Sequence, residues 1–172
     1  MKKCLIAAVM MTGAMSASVF ADDGKINFYG SITDTACTVV NNMSNPLSVM
    51  MGTVSSKAFT GAGSTASPTK FTIALKDCPK SVSSATVKFD GTADSNVNTL
   101  LALTQQTDMA KGVGIQLMDN KNVVVPLYTA SSAYPLSPGN NNLDFVARYY
   151  ATASTVTAGQ ANSTSNFTLN YN

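Results

Sequence analysis

Cysteines are the residues of this 172-residue chain whose type and spacing most clearly suggest chemistry. Cys37 and Cys78 lie about 40 residues apart, and Cys4 lies in an apolar run at the N terminus. An even pair of cysteines in an exported chain indicates a disulfide, and closing a loop of this length contributes about 4 kcal/mol in the loop-entropy description. Two free thiols or a metal pair are the alternatives, although a metal would need further ligands nearby.

Catalytic side chains are scarce in this sequence. It contains no histidine, and its nine acidic residues are all aspartate. The usual general base and the commonest transition-metal ligand are therefore missing. A Ser–Lys nucleophile pair at Ser55 or Ser56 beside Lys57 remains as an option, but such neighbours arise by chance in a serine-rich chain. Six aspartates occur singly at turn-like positions, where they ordinarily bond the local backbone: Asp34, Asp77, Asp90, Asp94, Asp119 and Asp144. We predict no enzymatic activity and no cofactor.

The N terminus has the three-part layout of a secretory signal peptide. Lys2 and Lys3 precede an apolar run, and residues 18–21 (SVFA) end in a small residue of the kind that a signal peptidase reads. The apolar run is too short to span a bilayer. An acidic, turn-like stretch follows it directly, which disfavours the alternative of a membrane anchor. We predict that residues 1–21 are a signal peptide and that the mature chain is exported.

The charge of the mature chain narrows the choice of partners. The full sequence has 11 basic and 9 acidic residues, and loss of Lys2 and Lys3 brings the net charge to about zero. Nucleic-acid binding needs a basic surface, so we predict no nucleic-acid partner. A low net charge also weakens the self-repulsion that keeps proteins monomeric, which mildly favours self-association.

Apolar residues alternate with polar ones in short runs that are separated by turn residues. The runs lie at residues 26–32, 37–40, 47–51, 71–78, 87–89, 100–103, 113–117, 123–125, 143–149 and 167–171. A loop is expected over residues 55–69, with a single helical turn near Lys57. This pattern predicts an all-β fold, an Ig-like antiparallel β-sandwich of about eight to ten strands in one domain.

Both ends of the mature chain carry a strand-like pattern. The first run precedes Cys37 and places Ile26, Phe28 and Ile32 on one face, with Gly30 in the same row. The last run extends to within one residue of Asn172. An N-terminal strand frays unless it is tied into a sheet. Both termini are therefore expected to pair with another element.

In order and spacing, five segments resemble the structural pilins of chaperone–usher fimbriae, of the type 1 and P-pilus kind. The segments are residues 24–32 (GKINFYGSI), 34–37 (DTAC), 71–78 (FTIALKDC), 145–150 (FVARYY) and 158–162 (AGQAN). A terminal strand with penultimate Tyr171 follows them, and Gly159 is fourteenth from the end, where these pilins place a glycine. Each motif alone is weak, but together they cover essentially the whole chain.

The resemblance implies a sandwich that lacks one strand and is completed by a donor strand from a partner. Residues 22–33 would be an N-terminal donor-strand extension, and residues 34–172 would be the pilin domain. A periplasmic chaperone would first lend the missing strand. At an outer-membrane usher, the extension of the next subunit, either another copy or a related pilin, would replace it. The expected destination is an extracellular fimbrium on the cell surface that supports adhesion.

The same resemblance assigns the site residues. Ile26, Phe28, Gly30 and Ile32 would enter the groove of a neighbouring subunit, with Gly30 at a point where only a hydrogen fits. The residues expected at the chaperone or groove contact are Gly159, Phe167, Leu169, Tyr171 and Asn172. The alternative for residues 24–33 is an ordinary first strand of the chain's own sheet. Alternatives to a shaft subunit are a minor subunit such as a tip adaptor and an exported β-sandwich that binds another molecule.

Overall fold

The structure is a computed structural model that describes residues 24–30, 32 and 36–172. The predicted signal peptide at residues 1–21 lies outside the described residues, as do residues 22–23, 31 and 33–35. The chain divides into two compact units, Met1–Ile32 and Thr33–Asn172. In the first unit, the described residues form neither a helix nor a strand.

The second unit is built from β-strands. They are β1 (Thr38–Val39), β2 (Thr65–Cys78), β3 (Ser84–Gly91), β4 (Val113–Asp119), β5 (Tyr134–Pro135), β6 (Gly139–Ala151) and β7 (Ser165–Tyr171). One 3-10 turn spans Ser56–Ala58, where the sequence predicts a helical turn, and the Ser55 side chain caps it by accepting a hydrogen bond from Lys57 N. All strand pairs are antiparallel, which confirms the predicted all-β class.

The strands are arranged in two sheets. One sheet has the order β1–β2–β6–β4, and the other has the order β5–β3–β7. In the second sheet, β3 and β7 pair along their length, with Ala85 opposite Tyr171 and Gly91 opposite Ser165. Strand β1 is two residues long and covers only a short part of β2. The two sheets therefore end differently: β7 is a full-length outer strand, and β1 is a very short one.

The core lies between the two sheets and includes a cluster of aromatic rings. The Phe145 ring of β6 lies 5.0 Å from that of Phe89 on β3 and 5.6 Å from that of Phe71 on β2, measured between centroids. Tyr134 of β5 approaches Phe145 at 5.3 Å. Rings at these separations bury large apolar areas and gain from edge-to-face packing. Contacts between β6 and β3 thus join the sheets into the predicted sandwich.

A disulfide joins Cys37 to Cys78, with an S–S distance of 2.07 Å. The bridge confirms the pairing expected of these cysteines. Cys37 immediately precedes β1 and Cys78 ends β2, and both side chains are buried. The disulfide therefore holds the short strand β1 against its neighbour, where few ladder hydrogen bonds are available.

Other segments cover the outer edge of β4. Ile115 and Leu101 exchange both of their backbone hydrogen bonds at 2.9 Å, and Val125 N donates to Leu117 O at 2.9 Å. The alternation predicts strands at residues 100–103 and 123–125. In the structure these segments form isolated bridges instead, and they satisfy the outer edge of β4. The turn predicted at Asp119 is present, with Asn122 N donating to Asp119 O.

The outer edge of β3 is covered in the same way. Tyr128 N donates to Phe89 O and Ser131 N donates to Val87 O, both at 2.8 Å, while β5 pairs with the start of β3. The sequence pattern misses β5 because a two-residue strand carries no measurable alternation. With this side of β3 occupied by residues 128–136, β7 takes the other side.

Two further segments differ from the predicted strands. Residues 47–51 alternate in sequence, yet they form no strand, and Leu47 and Met50 are exposed. Asparagine side chains end β1 before this segment: Asn41 Oδ1 accepts the Ala74 N–H at 3.0 Å in place of a backbone partner. Conversely, β6 begins at Gly139, four residues before the run predicted at residues 143–149, because polar side chains are tolerated on a strand's solvent face.

Candidate strand-acceptor site

Strand β7 presents an open backbone edge. Asn172 and Ser84 exchange backbone hydrogen bonds of 2.9 and 3.0 Å, which fixes the phase of the β3–β7 ladder. Backbone groups in an antiparallel strand point alternately to either side. The N–H and C=O groups of Phe167, Leu169 and Tyr171 must therefore point away from β3, and within the described residues no backbone partner meets them.

The same three residues turn their side chains inward. Phe167, Leu169 and Tyr171 are half-buried and pack against the core, whereas Asn166, Thr168 and Asn170 between them are exposed. Burial raises the pKa of the Tyr171 phenol, which stays neutral at physiological pH. Unpaired backbone groups and half-covered apolar side chains thus coincide at the same three positions, which is the arrangement that an added strand could satisfy.

Further half-buried apolar side chains pack against the same core from the other sheet and its connections. Phe71 of β2 is half-buried, although Ile73 and Leu75, which follow it on the same face, are fully buried. Its ring lies 6.2 Å from that of Phe89, whose opposite neighbour on β7 is Phe167. Val39, Met51, Val54 and Phe59 are also partly buried and pack against this core. Sequence reasoning missed them as site residues, although Phe71 belongs to a recognised alternating run.

A cleft of about 390 Å³ opens near residues 156–162, between β6 and β7 in sequence. The apolar or aromatic residues in its lining include Val54, Phe59, Tyr149, Val156 and Ala161. The Tyr149 hydroxyl donates to Ala161 O at 3.2 Å, which ties the connection to β6. The cleft is apolar at these positions and could admit a side chain from a partner.

Gly159 lies in the lining of this cleft, but its identity has a backbone reason. A Cβ atom at this position would lie 2.4 Å from Ala110 N and 2.5 Å from Asp108 O. The neighbouring Gln160 bonds the same segment, donating to Asp108 O at 2.8 Å and accepting from Ala110 N at 2.9 Å. Glycine is needed here because two chain segments approach closely. The predicted groove contact at Gly159 stays a prediction.

Asn172, which the resemblance assigns to the chaperone or groove contact, has partners within the chain. Its backbone oxygen accepts hydrogen bonds from Ser83 N at 2.8 Å and from Ser84 N at 3.0 Å. The Ser83 hydroxyl donates to the same oxygen at 3.0 Å. These bonds fix the end of β7 against the start of β3, and the chaperone contact at Asn172 remains a prediction.

The predicted donor residues have highly exposed side chains. Ile26 is 78% exposed, Phe28 is 90% exposed and Ile32 is 103% exposed. An added Cβ at Gly30 would meet no atom within 4 Å. Exposed large apolar side chains at alternating positions are unusual for a soluble monomer and typical of a surface that a partner covers.

A buried carboxylate lies at the last residue of β4. Asp119 is fully buried, and its Oδ1 accepts from Lys121 N and Val123 N, both at 2.9 Å. Burial acts to raise the pKa of Asp119. The nearby Ser132 side chain, the two backbone N–H groups and the charge of Lys121 outweigh this effect, so the pKa lies below its ordinary value. This group stabilises the turn after β4.

No cluster of three metal-ligating side chains occurs among the described residues. Within the same residues, no helix has the length and apolar character needed to cross a membrane. The best-defined candidate site of the described part is the open edge of β7 with its apolar flank, on an antiparallel β-sandwich.

Comparisons with known proteins identify the family. Residues 26–172 match the sequence model of the family described as "Fimbrial protein". The chain is 36% identical to long polar fimbria protein A of Salmonella typhimurium, over 99% of this chain and 97% of that protein. It is 33% identical to the probable major fimbrial subunit LpfA of Escherichia coli O157:H7, over 99% of this chain and 97% of that protein.

A solved structure agrees with these relatives. The crystal structure of a Burkholderia pseudomallei antigen and type I fimbria protein is 41% identical, with a TM-score of 0.63, over 85% of this chain and 96% of that chain. The chain belongs to the fimbrial protein family and is a fimbrial pilin subunit. The predicted pilin-type β-sandwich is thereby confirmed, whereas the residue-level assignments of donor and acceptor stay predictions.

Proposed function

We propose that this chain is a shaft subunit of a chaperone–usher pilus and that it polymerises by donor-strand complementation. The observation that carries the proposal is the pattern on β7. Phe167, Leu169 and Tyr171 each combine backbone groups that meet no partner among the described residues with a half-buried apolar side chain. A strand with apolar side chains at every second residue would satisfy both the backbone and the side chains at once.

The chain carries a segment of that kind. Ile26, Phe28 and Ile32 alternate and are exposed. Burying three such side chains would contribute about 1.5–3 kcal/mol each. Neither residues 26–32 nor strand β7 contains a charged residue. Insertion would therefore bury no unpaired charge, which is the costliest event in forming an interface.

In this proposal a periplasmic chaperone covers the open edge first, because an exposed apolar strand edge promotes aggregation. An outer-membrane usher then exchanges the chaperone's strand for residues 22–33 of the next subunit, so that fimbriae grow on the cell surface and support adhesion. The shaft role is supported by the presence of a donor segment and by the relative described as a probable major subunit. A tip adaptor would also carry an open edge and a donor segment, and it is the second candidate.

The direct test is to express the full chain and a variant without residues 22–33 alongside a periplasmic chaperone. The full chain should form polymer, and the truncated chain should stay bound to the chaperone as a monomer. Immunogold labelling along isolated fimbriae distinguishes the two roles: labelling along the whole length indicates a shaft subunit, and labelling confined to one end indicates an adaptor. Equal polymer from both chains would refute donor-strand complementation.

A further inference from the structure

Strand β7 and the alternating run at residues 26–32 have the same length. Strand β7 spans Ser165–Tyr171, which is seven residues, and the run from Ile26 to Ile32 is also seven residues long. An added strand gains most when every residue has an opposite neighbour. Full overlap is therefore the register that pairs the most backbone and apolar groups.

Full overlap makes a prediction that is independent of strand direction. The middle residue of the run is Tyr29 and the middle residue of β7 is Thr168. Whether the incoming strand runs parallel or antiparallel to β7, these two residues lie opposite each other. A slip by two residues would move Tyr29 to Asn166 or Asn170 and leave one apolar side chain without a partner.

Tyr29 and Thr168 would also lie on the same outer face of the extended sheet. Tyr29 lies between the inward-facing Phe28 and Gly30 in the alternation, so it would point to solvent, and its side chain is 90% exposed in the free chain. Thr168 is exposed on the outer face of β7. Residues directly opposite each other across two strands share a face. The pairing therefore places an aromatic ring beside a β-branched threonine.

The backbone phase of β7 favours a close contact at this position. Thr168 lies opposite Lys88 in the ladder, in phase with the hydrogen-bonded pair of Asn172 and Ser84. Its backbone groups thus point to β3 and not to the open edge. For a strand added at that edge in antiparallel direction, Thr168 occupies a non-hydrogen-bonded position, where opposite side chains approach most closely.

We infer that Tyr29 of one subunit pairs with Thr168 of its neighbour on the outer face of the joint and sets the register of the inserted strand. The inference rests on the proposed donor-strand function. It assigns a role to an outward-facing residue, in contrast to the inward-facing residues that fill the groove. The partner is a second copy of this chain, because both halves of the pair lie in the same sequence.

Disulfide trapping tests the register. Tyr29→Cys is combined in turn with Thr168→Cys, Asn166→Cys and Asn170→Cys, and polymers assembled from each full chain are oxidised and run on non-reducing gels. The Thr168→Cys combination should give the most intersubunit cross-link, because disulfides need Cβ atoms about 3.5–4.5 Å apart. Each single-cysteine variant is the control for non-specific bridging. A stronger cross-link at position 166 or 170, or none at any position in assembled polymer, would overturn the inference.

A double-mutant cycle supplies a second measurement that needs no new cysteine. The dissociation rate of polymers in denaturant is compared for Tyr29→Ala, Thr168→Ala and the double variant. A cross-strand pair of this kind should give a coupling of about 1.4- to 5-fold in rate, and the same cycle with Asn170→Ala should give none. Additive effects at Thr168 would overturn the pairing. Polymer that forms without residues 22–33 would instead refute the proposed function itself, so the two failures are distinguishable.

Discussion

Phe167 of β7 lies directly opposite Phe89 of β3, but its backbone N–H and C=O point to the open side of the sheet. Phe89 is buried and Phe167 is half-buried. The pair marks the boundary between the completed core and the part of the core that lacks a cover. In donor-strand complementation, a neighbouring subunit would supply this cover.

The side chains of the donor segment that would enter the groove, Ile26, Phe28 and Ile32, should be required for assembly. Phe28→Asp places a charge on the face that would enter the groove, where an uncompensated buried charge is strongly unfavourable. We expect loss of polymer with normal export and normal chaperone binding, measured by size-exclusion chromatography and electron microscopy. Asn27→Asp is the matched control, because it places the same charge on the outward row. Equal loss in both variants would contradict the assignment of faces.

Substitutions at Gly159 and Gly30 should affect different properties, the first the stability of the subunit and the second its assembly. Gly159→Ala forces a Cβ to within 2.5 Å of the backbone at residues 108–110, and such overpacking should lower the free energy of unfolding by about 1–3 kcal/mol. A Cβ added at Gly30 meets no atom within 4 Å in the free chain, so Gly30→Val should leave unfolding unchanged while polymer yield falls. Urea denaturation and polymer yield, measured for both variants, give the comparison. A destabilised Gly30→Val subunit would contradict this separation of roles.

The disulfide should act mainly on stability. Replacing Cys37 and Cys78 together by serine releases a loop with a sequence separation of 41, which should lower the free energy of unfolding by about 4 kcal/mol. Because β1 is only two residues long, its pairing with β2 should loosen first. Urea midpoints of the double variant and of wild-type protein treated with reductant should agree. An unchanged midpoint would show that the ladder alone holds β1.

Asp119 should make the subunit sensitive to acid. Its pKa lies below the ordinary value of 3.8 in the folded state, so the unfolded state takes up the proton first as the pH falls. The stabilisation is therefore present above that ordinary value and is lost as the pH falls through the folded pKa. Asp119→Asn, which keeps an acceptor oxygen, should flatten this part of the stability profile in urea titrations below pH 4. An identical pH dependence in both proteins would exclude Asp119 as the source.

Alternation and cysteine count predicted much of this fold because both follow from local chemistry. Strands β6 and β7 and the Cys37–Cys78 bridge were predicted from sequence for that reason. Residues 47–51 show that alternation identifies an apolar face but not a backbone partner. The asparagine that accepts the Ala74 N–H ends β1, and no periodicity in the sequence indicates this.

The candidate site was predicted from sequence only in part. Phe167, Leu169 and Tyr171 were expected at the groove through family resemblance, and their half-burial agrees with that role. Phe71 is half-buried while Ile73 and Leu75 on the same face of β2 are buried, a difference that the alternation of the sequence does not show. The reason for glycine at position 159 is likewise a contact with a segment about 50 residues away in sequence, so no local pattern could have supplied it.

Residue-resolved amide hydrogen exchange tests the central claim most directly. The backbone N–H groups of Phe167, Leu169 and Tyr171 should exchange rapidly in a subunit that lacks residues 22–33 and has been separated from the chaperone. They should exchange about 100-fold or more slowly in polymer of the full chain, because the inserted strand supplies their acceptors. Thr168 and Asn170, whose backbone groups face β3, should be protected in both samples and serve as the internal control. Rapid exchange at Phe167, Leu169 and Tyr171 in assembled polymer would contradict donor-strand complementation at this edge.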